Sequence, residues 1–279
     1  MTRNDSLRAL VDSCGFGLEI GPSHAPVFPR AAGFNVETLD HADADELRRK
    51  YAAMGVDTSA IEEVTYVSDG RPIHEIVPRR GEYDFIFSSH VIEHVTDFVG
   101  YFETCEALLK PDGRAALAIP DKRYVFDALR FPSTTGDVLE AWKRRHKRHS
   151  IARVFDFHAY YSTLGGEPVW ASFSTGDIAL PNGVEYGRQM FDAAYSEDGY
   201  HDVHGWAFTP ASFQLIIRDL NEMGLIGLKV EKLAQDGTSE FHVVMTRDAA
   251  LDARPRSEMI LDVHREQMES SAQLLGIVA

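Results

Sequence analysis

Five short runs of apolar, β-branched and aromatic residues, at 16–20, 34–39, 63–67, 83–87 and 115–119, recur through the first 120 residues of this 279-residue chain. They are apolar at consecutive rather than alternate positions, the pattern of strands buried on both faces. Helix-patterned stretches separate them, notably 43–54 and 97–109. In the second, Phe98, Tyr101, Phe102, Cys105, Leu108 and Leu109 share one stripe, and Lys110-Pro111-Asp112-Gly113 stops it. Strand alternating with helix predicts βαβ crossovers and a parallel sheet covered on both faces. The rhythm breaks into mixed polar, aromatic and Gly/Pro-containing sequence at about 124–205, which predicts an insertion over the sheet. It returns with a helix that Thr209 caps, Pro210 opens and Gly224 ends. Two further strands, 225–233 and 240–246, are close enough to pair as an antiparallel hairpin at the sheet edge.

Apolar residues make up 44% of the chain, enough for a core, and no apolar run approaches the roughly 18 residues of a membrane span. No membrane partner is expected. Lys plus Arg number 28 against 43 Asp plus Glu, and a net charge of −15 repels polyphosphates, so nucleic acid is not an expected partner. The N-terminus lacks the positive-then-apolar layout of a secretory signal, and Cys14 and Cys105 are too few to staple such a fold. They read as free thiols in a reducing cytoplasm.

The first strand ends in Glu19-Ile20-Gly21-Pro22-Ser23, and Asp40 closes the second strand nineteen positions after Gly21. A glycine turn at a strand's carboxyl end with a carboxylate about 20 residues on is how nucleotide-type cofactors are held: backbone approaches the ligand, and the acid accepts from ribose hydroxyls. Pro22 and His24 stand where a dinucleotide turn needs small residues, so a pyrophosphate cradle, and with it NAD or FAD, is not supported.

Glu19-Ile20-Gly21 resembles the first motif of the class I S-adenosylmethionine-dependent methyltransferases, although Pro22-Ser23 replaces its usual further glycines. Val67-Ser68-Asp69-Gly70 sits where that family places an adenine-contacting acid. Tyr83-Asp84-Phe85-Ile86-Phe87-Ser88-Ser89-His90-Val91-Ile92-Glu93-His94 is similar to the family's fourth motif, beside the transferable methyl group, and Leu108-Leu109-Lys110-Pro111-Asp112-Gly113 to its post-motif turn. The resemblance covers 16–125 and 209–246. It implies S-adenosylmethionine as cofactor, with Glu19 near its amino group, Gly21, Pro22 and Ser23 along its methionine part, and Asp40 on its ribose. Asp69 and Gly70 then lie at the adenine, and Ser88, Ser89 and His90 line the crevice. The expected fold is a Rossmann-like α/β single domain over 1–279. It has a seven-stranded, mostly parallel sheet, an antiparallel edge strand, and a helical and loop-rich substrate-binding insertion at 126–205, after strand five.

The insertion and its flanks carry the acceptor question. Pro120-Asp121-Lys122-Arg123-Tyr124 follows strand five, a basic cluster occupies 143–149, and a polar and aromatic stretch, 200–210, leads back to the sheet. The cluster reads equally well as a solvated helix face or as a pocket wall. Together these stretches resemble bacterial methyltransferases of cell-surface saccharides, with the actinobacterial enzymes that O-methylate mannose-containing polysaccharides as the nearest named group. The resulting expectation is an O-methyltransferase acting on a sugar or oligosaccharide hydroxyl by in-line transfer with a histidine general base. His149 is the first candidate base and His204 the second. Asp121 completes the catalytic set, and His94, Arg123, Tyr124, Tyr200, Asp202 and Trp206 form the acceptor site. The alternatives are a methyltransferase of another small molecule or of RNA, or a non-catalytic cofactor-binding regulatory subunit. His90 and His94 have helix-compatible metal spacing without an obvious third ligand, and magnesium is a candidate second cofactor although no Asp pair ends strand four.

Overall fold

The computed structural model describes residues 2–170, 178–196, 199–235 and 238–277. The strands are β1 (Gly17–Ile20), β2 (Val36–Asp40), β3 (Tyr66–Val67), β4 (Tyr83–Ser89), β5 (Leu109–Pro120), β6 (Thr163–Leu164), β7 (Glu167–Pro168), β8 (Ile178–Ala179), β9 (Lys229–Gln235) and β10 (Glu240–Thr246). The main sheet runs β3-β2-β1-β4-β5-β10-β9. Its first five strands pair in parallel, and β10 runs against both neighbours. The hairpin of β9 and β10 is the one expected; residues 236 and 237 in its turn lie outside the described residues.

The helices are α1 (Arg3–Arg8), α2 (Ala44–Ala53), α3 (Ile73–Ile76), α4 (Phe98–Leu108), α5 (Thr135–Arg144), α6 (Ile151–Ala159), α7 (Val184–Ser196), α8 (Pro210–Glu222) and α9 (Arg256–Leu274). Side-chain caps set their starts: Asp43 accepts from the Glu46 N–H, Asp97 from Gly100, and Thr209 from Ser212 in a capping box with Pro210 in the first turn. Among the described residues no helix is long and apolar enough to cross a membrane.

Alternate residues of the central strands feed two cores. Ile86 and Leu117 pack with Phe98, Phe102, Cys105 and Leu108 of α4 and with Phe213, Ile216 and Leu220 of α8. On the other face Phe85, Phe87, Ala116 and Ala118 pack with Leu7 of α1 and with Val27 and Phe28. Two strands depart from their expected bounds. β3 keeps only two ladder residues because Thr38 and Thr65 replace the ladder with reciprocal bonds from each backbone N–H to the other hydroxyl, both 3.1 Å. β5 starts at Leu109 and absorbs Lys110-Pro111-Asp112-Gly113, since Leu109 already pairs with Tyr83 across an irregularity in the ladder.

Between β5 and α8 lie α5, α6, α7 and the small antiparallel sheet β7-β6-β8. A separate apolar group, Val154, Ala194 and Val203, joins α6, α7 and the returning strap. That strap runs beside the end of β4, where the Trp206 N–H donates to the Glu93 carbonyl. The insertion's polar side chains are thereby brought to the carboxyl edge of the parallel strands.

Candidate active site

The first two strands end in a tight clasp. Gly21 has φ +69°, and a Cβ there would come within 2.6 Å of Val91 Cγ2, so the turn requires glycine. Ser23 also adopts positive φ, and its N–H donates to Asp40 Oδ2 at 2.8 Å. The His41 N–H donates to Asp40 Oδ1 at 2.7 Å. The His41 ring Nδ1 also lies 2.7 Å from Oδ1, so Asp40 is a buried carboxylate whose position is fixed by the glycine turn it faces, with Oδ2 keeping a lone pair for a ribose hydroxyl. The Ser23 and Tyr51 hydroxyls are hydrogen-bonded to each other. At β3, Asp69 is ion-paired with Arg71 at the surface, and Gly70 has φ +85°. Asp40→Ala is expected to weaken S-adenosylmethionine binding by about 1.5 to 3 kcal/mol through lost charge-assisted bonds. Calorimetric titration giving wild-type affinity would remove Asp40 from the ribose.

Glu19 points away from this crevice. Its two oxygens accept the Val27 and Phe28 N–H groups at 2.7 and 3.0 Å, fastening that segment over the second core. Burial raises its pKa from an ordinary 4.5 to about 7, against the pull of the two backbone donors. The folded form therefore holds a proton that the unfolded chain releases across this window, and stability falls as pH rises through it. The unfolding free energy should drop by roughly 1 to 3 kcal/mol between about pH 4.5 and pH 7, a slope that urea titrations should find missing in Glu19→Gln.

The end of β4 carries the most unusual group. Ser88 Oγ is buried against the Tyr101 hydroxyl at 2.8 Å, and Ser89 Oγ accepts from Arg3 at 2.7 Å. His90 turns the chain with φ +54°, and its Nε2 lies 2.8 Å from Glu240 Oε2. Glu93 follows in a 3-10 turn and is only 1% exposed, yet neither carboxylate oxygen receives a hydrogen bond. Around its Oε1 stand His90 Nδ1 at 3.6 Å, His94 Nε2 at 3.9 Å and His204 Nε2 at 4.0 Å. His94 Nδ1 is backed by Asp202 at 2.9 Å, and His204 Nδ1 by Asp127 at 2.5 Å. Arg130 in turn donates to Asp127 Oδ1 and to the His204 carbonyl. Burial lowers the His94 pKa, but Asp202 and Glu93 outweigh it and leave it raised. The same bond to His94 holds Asp202 down at about 2. Val91, which packs against the glycine turn, is two residues from Glu93, so the clasp of Gly21 and Asp40 and this group are neighbours.

A family profile described as a methyltransferase domain matches residues 13–162, more than half of the chain. The chain belongs to this family. As a class I methyltransferase it takes its methyl group from S-adenosylmethionine. Similar solved structures include an S-adenosylmethionine-dependent methyltransferase from Aquifex aeolicus, 12% identical, with 86% of this chain and 87% of that chain covered at a TM-score of 0.43. An S-adenosylmethionine-dependent methyltransferase from Mesorhizobium loti is 14% identical, with 86% and 95% covered at 0.45. The mitomycin 7-O-methyltransferase MmcR is 14% identical, with 88% and 53% covered at 0.41. No curated protein matches the sequence.

Several side chains expected at this methyltransferase's acceptor site are placed elsewhere. His149 Nε2 is 3.0 Å from the His94 carbonyl, to which it donates, and its Nδ1 side packs on Gly205, where even a Cβ would come within 2.1 Å. Burial pushes it down to about 3. It is a neutral histidine that braces His94 through Nε2 and lines a cavity. Trp206 is 1% exposed, donates to the Val95 carbonyl at 2.6 Å and lies under Arg153, so most of it is core, although it also lines the cavity behind His149. Asp121 is fully buried, and Arg123 grips it through Nε and Nη2; neither reaches the crevice. Their pairing caps the end of β5, where Asp121 also bridges to Phe208. Tyr124 lies half-buried under the Arg123 guanidinium. Tyr200 keeps an exposed ring while its hydroxyl donates to the His94 carbonyl at 2.9 Å. In the basic cluster, Arg144 pairs with Glu140 on the exposed face of α5. A cavity of about 250 Å³ opens behind His149, lined by Arg130, Ser133, Asp137, Arg153, Asp156 and Trp206 among others. Glu93, Asp127, Arg130 and Glu240 were not among the expected site residues; the visible signals were Glu93's place inside the fourth-motif stretch and an acid opening the apolar run at 240–246.

Proposed function

We propose that this methyltransferase transfers its methyl group to a hydroxyl of a sugar or oligosaccharide. The observation that carries the reading is the group of Glu93, His94 and His204 set directly beside the glycine turn, at the carboxyl edge where ligands of open α/β sheets bind. Such a group suits an acceptor that must lose a proton as it is methylated, because a hydroxyl is a poor nucleophile while protonated. The cavity behind His149 supports a polyhydroxylated acceptor: two arginines, two aspartates and two serines offer many hydrogen-bonding positions beside an apolar part formed by Phe131, Pro132 and Trp206. In this reading Asp40 holds the ribose, Gly21 and Ser23 pass the methionine part, Asp69 and Gly70 lie toward the adenine, and Ser89 and His90 border the methyl. The chain's part in the in-line displacement is chiefly alignment of oxygen, methyl carbon and sulfur. Mannose-containing polysaccharides are the first acceptors to try, and a reducing cytoplasm suits two free thiols, one of them exposed.

The test is release of S-adenosylhomocysteine with a panel of mono- and oligosaccharides set against phenols, amines and carboxylic acids. Turnover confined to saccharides is expected. Turnover confined to any other class would overturn the saccharide assignment.

A further inference from the structure

The Glu93 group has a form that an acid–base pair does not require. Three imidazole nitrogens converge on one buried carboxylate oxygen at 3.6 to 4.0 Å, too far for hydrogen bonds and slightly beyond the roughly 3.4 Å between ligand atoms around a tetrahedral ion with bonds near 2.1 Å. The ligand atoms of Glu93, His94 and His204 all lie within 4.8 Å of one another. A buried carboxylate with no hydrogen bond is costly unless something else satisfies it.

The second observation lies behind the ligands. Each histidine has its other ring nitrogen against a carboxylate: His90 on Glu240, His94 on Asp202 and His204 on Asp127. For His90 and His204 that contact is a hydrogen bond that can take the ring proton and leave the other nitrogen, the one nearer Glu93, free to ligate, the arrangement found behind metal-bound imidazoles; for His94 it is a close charge contact, and its Nδ1 is itself a buried atom without a hydrogen bond. The backing carboxylates are themselves anchored, Asp127 by Arg130 and Glu240 by Arg3. Three imidazole nitrogens gathered around one buried carboxylate that has no hydrogen bond call for a cation there.

We infer that Glu93, His94 and His204, with His90 at the rim, bind a divalent transition-metal ion of the zinc, iron(II), manganese or cobalt type. The inference rests on the proposed hydroxyl acceptor for its purpose, though not for its detection. Imidazole-rich sites favour such ions, whereas magnesium prefers all-oxygen octahedral shells. Glu93, His94 and His204 would hold the ion, which would supply Lewis-acid polarisation of the acceptor oxygen. An ion held there would withdraw charge from the O–H bond so that the proton could be lost to solvent. The oxygen lone pair then forms the new bond to the methyl carbon as the carbon–sulfur bond breaks, its electron pair returning to sulfur to leave a neutral thioether.

The experiment loads chelator-treated protein with zinc, manganese, cobalt or magnesium and reads ion content by mass spectrometry, affinity by calorimetry and the visible spectrum of the cobalt form, with no acceptor present. About one transition ion per chain is expected, with magnesium bound far more weakly. Asp127→Asn should weaken binding by about 10- to 100-fold. The double variant His94→Gln/His204→Gln should abolish it while still binding S-adenosylhomocysteine, which shows that it folds. No retained ion, equal binding by the double variant, or magnesium bound as tightly as zinc would each overturn the centre. A saccharide panel that fails while the ion still binds overturns only the acceptor. Full saccharide turnover by ion-free protein overturns only the ion's role.

Discussion

Replacing Glu93 by glutamine is expected to lower kcat/KM by about 10² to 10⁴-fold, the range for losing a group that governs proton removal, while leaving the fold at least as stable as before. The two halves of this expectation have one cause. Glu93 is enclosed behind the end of β4 with both oxygens lacking a hydrogen-bond donor, so the carboxylate is held in place by the packing of its neighbours and contributes little to holding them. Glutamine keeps the volume and removes the charge, which relieves a desolvation penalty but also takes away the negative centre that His90, His94 and His204 surround. Stability sacrificed at a reactive site and recovered on its removal is a general trade-off. Kinetics with S-adenosylmethionine and a saccharide acceptor, together with a thermal midpoint on ion-free protein, test both halves. A variant keeping a tenth of wild-type turnover, or melting several degrees lower, would show that Glu93 is a structural carboxylate.

The fold was legible because its signals are local. The stripe from Phe98 to Leu108 is buried along its whole length, and the Thr209-Pro210 start of α8 is a capping box of adjacent residues. Gly21 and Asp40 were legible too, since a strand end and a spacing of nineteen residues suffice to place them. What lay beyond reach was convergence across the insertion. Glu93 and His204 are 111 positions apart, and no periodicity of 124–205 shows that the strap at 203–208 lies beside the end of β4. The same gap hid the surroundings of His149 and Trp206. Both look like site residues because they are polar or aromatic in an irregular stretch, but the strap turns them inward onto Gly205 and the Val95 carbonyl. Asp121 and Arg123, two residues apart, satisfy each other, so neither is available to a ligand. Residue type and irregular context mark where a site is built; which side chains face it is set by long-range packing.

Arg130→Ala should cost about 3 to 5 kcal/mol of stability, the cost of stripping one partner from a buried ion pair. Arg130 and Asp127 are both almost wholly buried, 2.7 Å apart, and the same guanidinium nitrogen holds the His204 carbonyl at 2.8 Å. Without it Asp127 keeps only His204 in an environment where a lone carboxylate is poorly solvated, and the strap bearing His204 loses its tie to the segment after β5. An arginine in an exposed network gives the contrast. Arg188 on α7 pairs with Glu185 and Asp192 in full contact with water, and Arg188→Ala should leave the urea midpoint unchanged. If buried charge is the cause, Asp127→Asn placed on top of Arg130→Ala should recover part of the loss, because the amide no longer needs a cation and can still donate to or accept from its neighbours. The double variant is therefore expected to unfold at higher urea than Arg130→Ala alone. Equal midpoints for the two would mean that Arg130 acts through its packing and its bond to the His204 carbonyl, and that the ion pair itself contributes nothing.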